Sequence, residues 1–400
     1  MGQTTFFKKI FSIEVARHLI ITIFGIKLSF NLRKSLKTIR EFTQHRPERG
    51  TILIIEPNFC HYETLPGLFR YAADLGCNVE IMVNGSGDGV FSDVRAAKIW
   101  KLNRKTFVHI MENCDFSKYH CLIFNSKRVY TYSRETAYDG EDIFKYFSRV
   151  PVGENPNIYM QHHLDFWDEC FQERQICLAN PAGRAEFDKK IVNCHWFGNV
   201  KITPKNSEFI YFITVGALDV RRKNGELLLR AVKKLHNNGI RNFAVTVIGD
   251  GKLGTVIPEL QKYFHITGRV DFPTLYRAME KADYYLPLLD PEKTAHERYM
   301  KYGTSGSFQL ICGFQKPCLI HRRFADIYGL TEKDSFVYDS NEDLFEQMIS
   351  AINCPEADYA AKQENLKNTA GKLYQVSQNN LAALLLPEQA LNLILEDRNQ

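Results

Sequence analysis

Four hundred residues with 44% hydrophobic and 24% charged side chains are ample for a buried core, and by size for two domains, which excludes a disordered chain. Ten cysteines without a CxxC pair or zinc-type spacing read as reduced thiols of a cytosolic protein, so no metal site is expected. The formal charge of +5 is local: residues 1–40 carry eight Lys or Arg against Glu14 alone, giving +7 there and −2 elsewhere, which argues against a nucleic-acid partner.

In that basic segment the apolar runs "FFKKIF" and "HLIITIFGIKLSFN" fall short of the roughly 20 residues a membrane span needs, and no signal-peptide cleavage site follows them. The second run alternates about Phe24-Gly25, which predicts a two-stranded ribbon. Basic residues beside aromatics suit an anionic membrane surface, where each Lys or Arg contributes about 1 kcal/mol. A small hairpin packed on the main body is equally compatible with the pattern. "TQHRPERG" reads as a linker.

Next comes "TILIIEP", a continuous apolar run of the kind a doubly buried parallel strand needs, and then "ETLPGLFRYAADLG" with helical spacing and Gly76 as its stop. "NVEIMVN", "KTFVHIM", "YHCLIFN" and "NIYMQHH" read as further strands of one open sheet over residues 50–200. "VNGSGDGVFS" holds GxGxG at 85–89 without a convincing helix behind it and reads as a loop.

A second alternation starts at "SEFIYFITVG" and continues through the helix "NGELLLRAVKKLHNNG", the strand "FAVTVIG", the helix "VIPELQKYF" and the strand "HITGRV". The helix "DFPTLYRAMEKA", the strand "DYYLPLL", the helix "SGSFQLICGF" and the strand "KPCLI" complete it. Such a βαβ series forces a parallel sheet, whose ligands lie at the carboxyl ends of the strands. "GTSGS" then stands at a helix N-terminus, where the dipole, the free amides around Gly306 and the hydroxyls of Thr304, Ser305 and Ser307 would suit a diphosphate. Helix capping alone needs one such residue. Arg221, Arg222 and Lys223 follow the glycine of "TVGALDVRRKNG" and would begin the next helix, where the dipole disfavours cations unless an anion compensates; a solvated basic loop is the other reading.

Across residues 207–350 the order of these pieces, "VGALDVRRKNGELLLRAVKKL", "VIGDG", "HITGRVDFPTLYRAMEKADYYLPLL" and "GFQKPCLI", resembles the donor-binding domain of GT-B glycosyltransferases, especially family 4. "EPNFCHYETLPGLFRYAADLGCNVEIMVN" and the leading basic module resemble bacterial lipopolysaccharide and capsule glycosyltransferases. The resemblance implies an α/β chain of two Rossmann-like domains with parallel sheets facing a cleft. The expected division is a basic, membrane-proximal module at 1–45, an acceptor domain at 46–203, a donor domain at 204–375 and a C-terminal helical segment at 376–400 that crosses back, with "NNLAALLLPEQALNLILE" as its candidate. It implies a donor site at Gly216, Arg221, Arg222, Lys223, Gly249, Thr304, Ser305, Gly306 and Ser307, with the nucleobase near Gly268 and Arg269.

Two departures stand out: Ala217 replaces the usual arginine after the strand glycine, and Tyr302 and Leu310 occupy the positions of the usual glutamate pair. On the acceptor side the loop "NFCHYE" would bring Asn58, His61 and Glu63 into the cleft, with His61 or Glu63 taking the proton of an acceptor hydroxyl. His162, His163 and Asp165 end another strand, where related enzymes touch the donor sugar; a strand-end His pair is also an ordinary polar terminus. Gly67 reads as a close-packing glycine.

The implied activity is metal-independent transfer of a sugar from a nucleotide-diphosphate donor to a glycan or lipid-linked glycan acceptor in bacterial surface polysaccharide synthesis. The nucleotide-sugar is a substrate, so no cofactor is expected, and the implied location is cytoplasmic, peripheral on the inner face of the plasma membrane. A sugar-nucleotide epimerase of the same fold would need carboxylates in the cleft, and a non-catalytic membrane scaffold would need no cleft chemistry.

Overall fold

The computed structural model of the chain describes residues 11–15, 19–23, 26–30, 32–129, 141–143, 157–162, 164, 174–178, 185–218, 222–251, 253–301 and 303–386. The basic segment forms three antiparallel strands, β1 (Phe11–Val15), β2 (Leu19–Ile23) and β3 (Ile26–Phe30), so the expected ribbon about Phe24-Gly25 gains a third member. A helix, α1 (Leu32–Gln44), then runs into the stretch that reads as a linker. Its Phe42 is fully buried against Trp100, ring centroids 5.1 Å apart, which anchors the helix to the first sheet.

That sheet consists of β4 (Ile52–Glu56), β5 (Val79–Asn84), β6 (Lys98–Leu102), β7 (Cys121–Phe124), β8 (Ile158–Gln161) and β9 (Gln175–Cys177). All pairings are parallel, in the order β9-β8-β7-β4-β5-β6. Every residue of β4, β5, β7 and β8 is buried, as strands covered on both faces must be. The helix α2 (Leu65–Asp74) follows β4. "KTFVHIM" is a helix, α3 (Arg104–Asn113), not a strand: Asn103 caps it through the Thr106 amide at 3.0 Å, and Phe107, Ile110 and Met111 bury one face at helical spacing. A short β-branched stretch with i, i+3, i+4 apolar positions reads either way until a cap decides it.

The second sheet orders β10 (Ile210–Val215), β11 (Phe243–Ile248), β12 (Phe264–Gly268) and β13 (Tyr284–Tyr285) as β12-β11-β10-β13, again all parallel. The pair β14 (Leu319–His321) and β15 (Phe336–Tyr338) continues it through a parallel bridge from Tyr285 to Cys318. Helices α4 (Gly225–Asn237), α5 (Phe272–Lys281), α6 (Gly306–Phe314), α7 (Arg322–Tyr328) and α8 (Leu344–Asn353) alternate with these strands; "VIPELQKYF" gives only the turn Pro258–Gln261.

The last helix, α9 (Glu356–Leu385), is 30 residues long and runs unbroken through the boundary expected at 375 and 376. It begins far upstream of the stretch chosen for it, and residues beyond 386 lie outside the described set. Tyr359 and Leu366 belong to the cores of the second half, whereas Leu381 and Leu385 complete the core of the first beside Leu68 and Ile81. A second crossing runs through residues 193–203, where the Asn193 amide donates to Ser377 Oγ at 2.8 Å and the Tyr71 hydroxyl donates to the Asn193 carbonyl. Gly67 is a packing glycine as expected: a Cβ there would lie 2.8 Å from Cys194 Cα. Among the described residues no helix is long and apolar enough to cross a membrane.

Candidate functional site

The two halves meet near the carboxyl ends of β5 and β12, where the 85–89 loop touches residues 269–273. Gly216, Gly249 and Gly268 close β10, β11 and β12 with positive φ of 120°, 139° and 70°. A side chain at Gly249 is excluded sterically, because its Cβ would meet the Gly216 carbonyl oxygen at 2.2 Å. The rim is shut on one side by the 85–89 loop of the first half, whose Asp88 carbonyl accepts from the Phe272 amide at 3.0 Å. Arg269, 66% exposed at its side chain, pairs there with Asp88 at 3.7 Å, so it spans the two halves.

Lys223 does not open a helix. The cap of α4 is Asn224, whose side chain accepts from Leu227, and Lys223 turns inward, 5% exposed. Its Nζ donates to the Pro287 carbonyl at 2.8 Å and reaches Ser307 Oγ at 3.5 Å, with Cε beneath Gly216. No carboxylate pairs with it among the described residues, and burial pulls its ammonium down to about 7. Arg222 is half-buried beside it, and Arg221 lies outside the described residues.

The hydroxyl-rich stretch caps α6, but its hydroxyls do not all point outward. Ser305 Oγ accepts from the Ser307 amide, the Ser305 amide donates to Tyr328 Oη, and Ser307 Oγ accepts from Tyr285 Oη at 3.0 Å. Ser305 and Ser307 are buried, and in these contacts their hydroxyls accept, so they brace the start of α6 from within. Gly306 is exposed with open space where a side chain would stand, and Thr304 Oγ1 is buried without a partner. Gln309 on the same helix leaves both its amide atoms buried without a partner.

Across the gap, the loop after β4 turns through His61 at φ +64°, a left-handed position that costs a non-glycine residue about 1–3 kcal/mol. Three hydrogen bonds hold the turn: Thr64 Oγ1 to the His61 carbonyl at 2.7 Å, Asn125 Nδ2 to the same carbonyl at 3.0 Å, and Thr64 Oγ1 to Asn125 Oδ1 at 2.7 Å. The His61 ring lies on His162, centroids 3.9 Å apart, and its Nδ1 is 3.6 Å from Glu63. Burial opposes charge on His61, but Cys60 and Glu63 outweigh it and hold the imidazole well above its ordinary range; Glu63, despite burial, is held below its own by His61. His162 Nε2 donates to the Asn125 carbonyl at 2.8 Å. His163 and Asp165 lie outside the described residues.

Asn58 is buried and braces the loop, its amide on Glu56 at 2.7 Å and its side chain on the Arg128 carbonyl at 2.9 Å, which corrects its expected place against a sugar. The sequence reading missed Glu56, Asn125 and Ser126. Their signal was a polar residue ending an otherwise apolar strand, in "TILIIE" and "CLIFNS". It also missed Tyr276 on α5, whose buried hydroxyl lacks a partner and is held protonated by burial and by the charge of Glu63.

No protein-family model matches the sequence, and no curated protein matches it. Among solved structures the chain is similar to the glycotransferase of kitacinnamycin, at 12% identity and TM-score 0.50, covering 86% of this chain and 100% of that one. It is also similar to WaaG, a glycosyltransferase involved in lipopolysaccharide biosynthesis (14%, TM-score 0.45, 83% and 99% covered), and to a T4 phage BGT mutant in complex with UDP-glucose (12%, 0.45, 84% and 99%). With the two parallel sheets and the returning helix, the first of these likenesses establishes the GT-B fold that the sequence resembles.

Proposed function

We propose that this GT-B chain is a metal-independent glycosyltransferase that moves a sugar from a nucleotide-diphosphate donor to a glycan or lipid-linked acceptor of a bacterial surface polysaccharide. The observation that carries the reading is Lys223, a buried ammonium with no carboxylate partner among the described residues, close to the strand-end Gly216 and to Ser307 at the start of α6. Burying an unpaired cation costs several kcal/mol and persists where a ligand repays it. A diphosphate set there meets Lys223 and the exposed amide end of α6 at Gly306, which stabilise the charge growing on the leaving group without reorganising. The nucleobase lies toward Gly268 and Arg269.

The acceptor approaches from the His61 side. Of the two residues expected as base, Glu63 is the ionised one, 37% exposed at its side chain, and His61 is its protonated neighbour. Glu63 accepts the hydroxyl proton while His61 holds the carboxylate in line. An epimerase would draw on more cleft carboxylate than this, since Glu56 is already occupied by protein donors.

The basic segment supports peripheral attachment to an anionic, cytoplasmic membrane face: Leu36 of α1 is 56% exposed beside Lys37. Loss of sedimentation with anionic vesicles after deletion of residues 2–40 is expected, and unchanged partitioning removes that part of the reading.

The enzymatic reading is tested by a thermal-shift screen of UDP, GDP, CMP and their sugars. A ligand at about 100 times its Kd adds roughly 2.7 kcal/mol. The shift should disappear in Lys223→Gln; a screen in which no nucleotide shifts the melt overturns the assignment.

A further inference from the structure

Glu56 has no place in the transfer chemistry, yet it is a fully buried carboxylate at the end of the central strand β4. Both of its oxygens are taken. Oε1 accepts from the Asn58 amide at 2.7 Å, and Oε2 accepts from Asn125 Nδ2 at 2.5 Å and Ser126 Oγ at 2.9 Å. Asn125 and Ser126 follow β7, and His162, which follows β8, donates to the Asn125 carbonyl and lies 3.5 Å from Ser126 Oγ. Asn125 Nδ2 is shared between Glu56 and the carbonyl of His61. One carboxylate therefore fixes the side chain that fixes the left-handed turn of His61, and the residues on which the His162 ring is hung.

We propose that Glu56 is a positioning residue of the acceptor side, whose carboxylate ties the ends of β4, β7 and β8 together and so sets the tilted, contacting His61–His162 pair against Glu63. The role rests on reading that side of the cleft as the place where the acceptor hydroxyl is activated. The ionisable groups around Glu56 are Cys60, His61 and Glu63 on the loop that follows it, Lys127 and Arg128 on the turn after β7, and His162 after β8. Of these, His61 acts on it directly. Burial raises the Glu56 carboxyl to about 7, and the His61 charge works against that rise. Hydrogen bonds to an ionised acceptor are roughly twice as strong as neutral ones. An amide at this position would also set its NH₂ against the Asn125 or Ser126 donors.

The test is an NMR titration of the two imidazoles in the wild-type chain and in Glu56→Gln, with transferase kinetics alongside. The Gln variant should loosen the turn that sets His61 beside Glu63, so that the His61 titration moves down toward its ordinary range and the mutual ring-current shift of His61 and His162 is reduced. Its kcat should fall while KM for the donor stays. A variant that titrates like wild type with the ring-current shift intact overturns the proposal. If Glu56→Gln does not fold, Ser126→Ala keeps the charge and removes one tie: a smaller change in the same direction supports the role, and none refutes it. The titration needs no nucleotide-sugar, so its result is independent of the transferase reading, which fails separately if the wild-type chain binds no nucleotide.

Discussion

Burial holds the Lys223 ammonium down to about 7, so at pH 8 only about one free protein in eleven carries that charge. A diphosphate seated against Nζ restores an ordinary lysine pKa near 10.4, and the complex carries the charge almost completely. Binding at pH 8 therefore takes up about 0.9 proton, and affinity falls about tenfold per pH unit above 7, or 1.36 kcal/mol each. The ligand contributes little to this uptake, because a terminal phosphate titrates near pH 6. Calorimetry of UDP or GDP binding at pH 8 in two buffers of different ionisation enthalpy reads the proton count as the slope of observed against buffer enthalpy. Lys223→Gln should abolish the uptake together with most of the affinity. Tight binding with no proton uptake, or an uptake that survives in Lys223→Gln, would rule out Lys223 as the group that meets the diphosphate.

The same lysine is expected to cost stability in the free protein. Its folded pKa lies below its unfolded one, so the unfolded chain holds more protons between about 7 and 10.5 and stability rises with pH across that window. Lys223→Met should stabilise the free chain in urea by on the order of 4 kcal/mol at pH 7 or below, with the gain vanishing above about pH 10.5. Two glycines give opposite signs in thermal melts. Gly313→Ala puts a Cβ 2.3 Å from the His195 carbonyl oxygen and should cost about 1–3 kcal/mol. Gly371→Ala in α9 meets nothing within 4 Å and should gain about 0.5–1 kcal/mol.

The two sheets were legible because parallel strands buried on both faces must be largely apolar runs: "TILIIE" is one, "VEIMVN" is buried throughout despite Glu80, and "FAVTVI" is half-buried on alternate residues. The strand-end glycines were legible beside them, since a chain that turns sharply out of a buried strand at a ligand gap needs positive φ at the turn. "KTFVHIM" misled because its pattern fits two periods and the deciding bond comes from Asn103, outside the run. The direction of Lys223 could not be read either: a lysine one residue before a helix cap points to solvent or into the core depending on Pro287 and Ser307, 64 and 84 residues away. Ser305 and Ser307 illustrate the converse. Their composition marks the helix start correctly, but the partner of the Ser307 hydroxyl is Tyr285 and that of the Ser305 amide is Tyr328, each on a separate element.

The return of α9 bears on how the chain is made. Leu381 and Leu385 seal the interior of a sheet whose last strand ends at Cys177, so that half stays unsealed while some 200 further residues are synthesised. At about 5–20 residues per second that interval is roughly 10–40 s of exposed greasy surface on the ribosome. Truncation near residue 375 is therefore expected to damage the half made first, which stays a client for chaperones until α9 has been made.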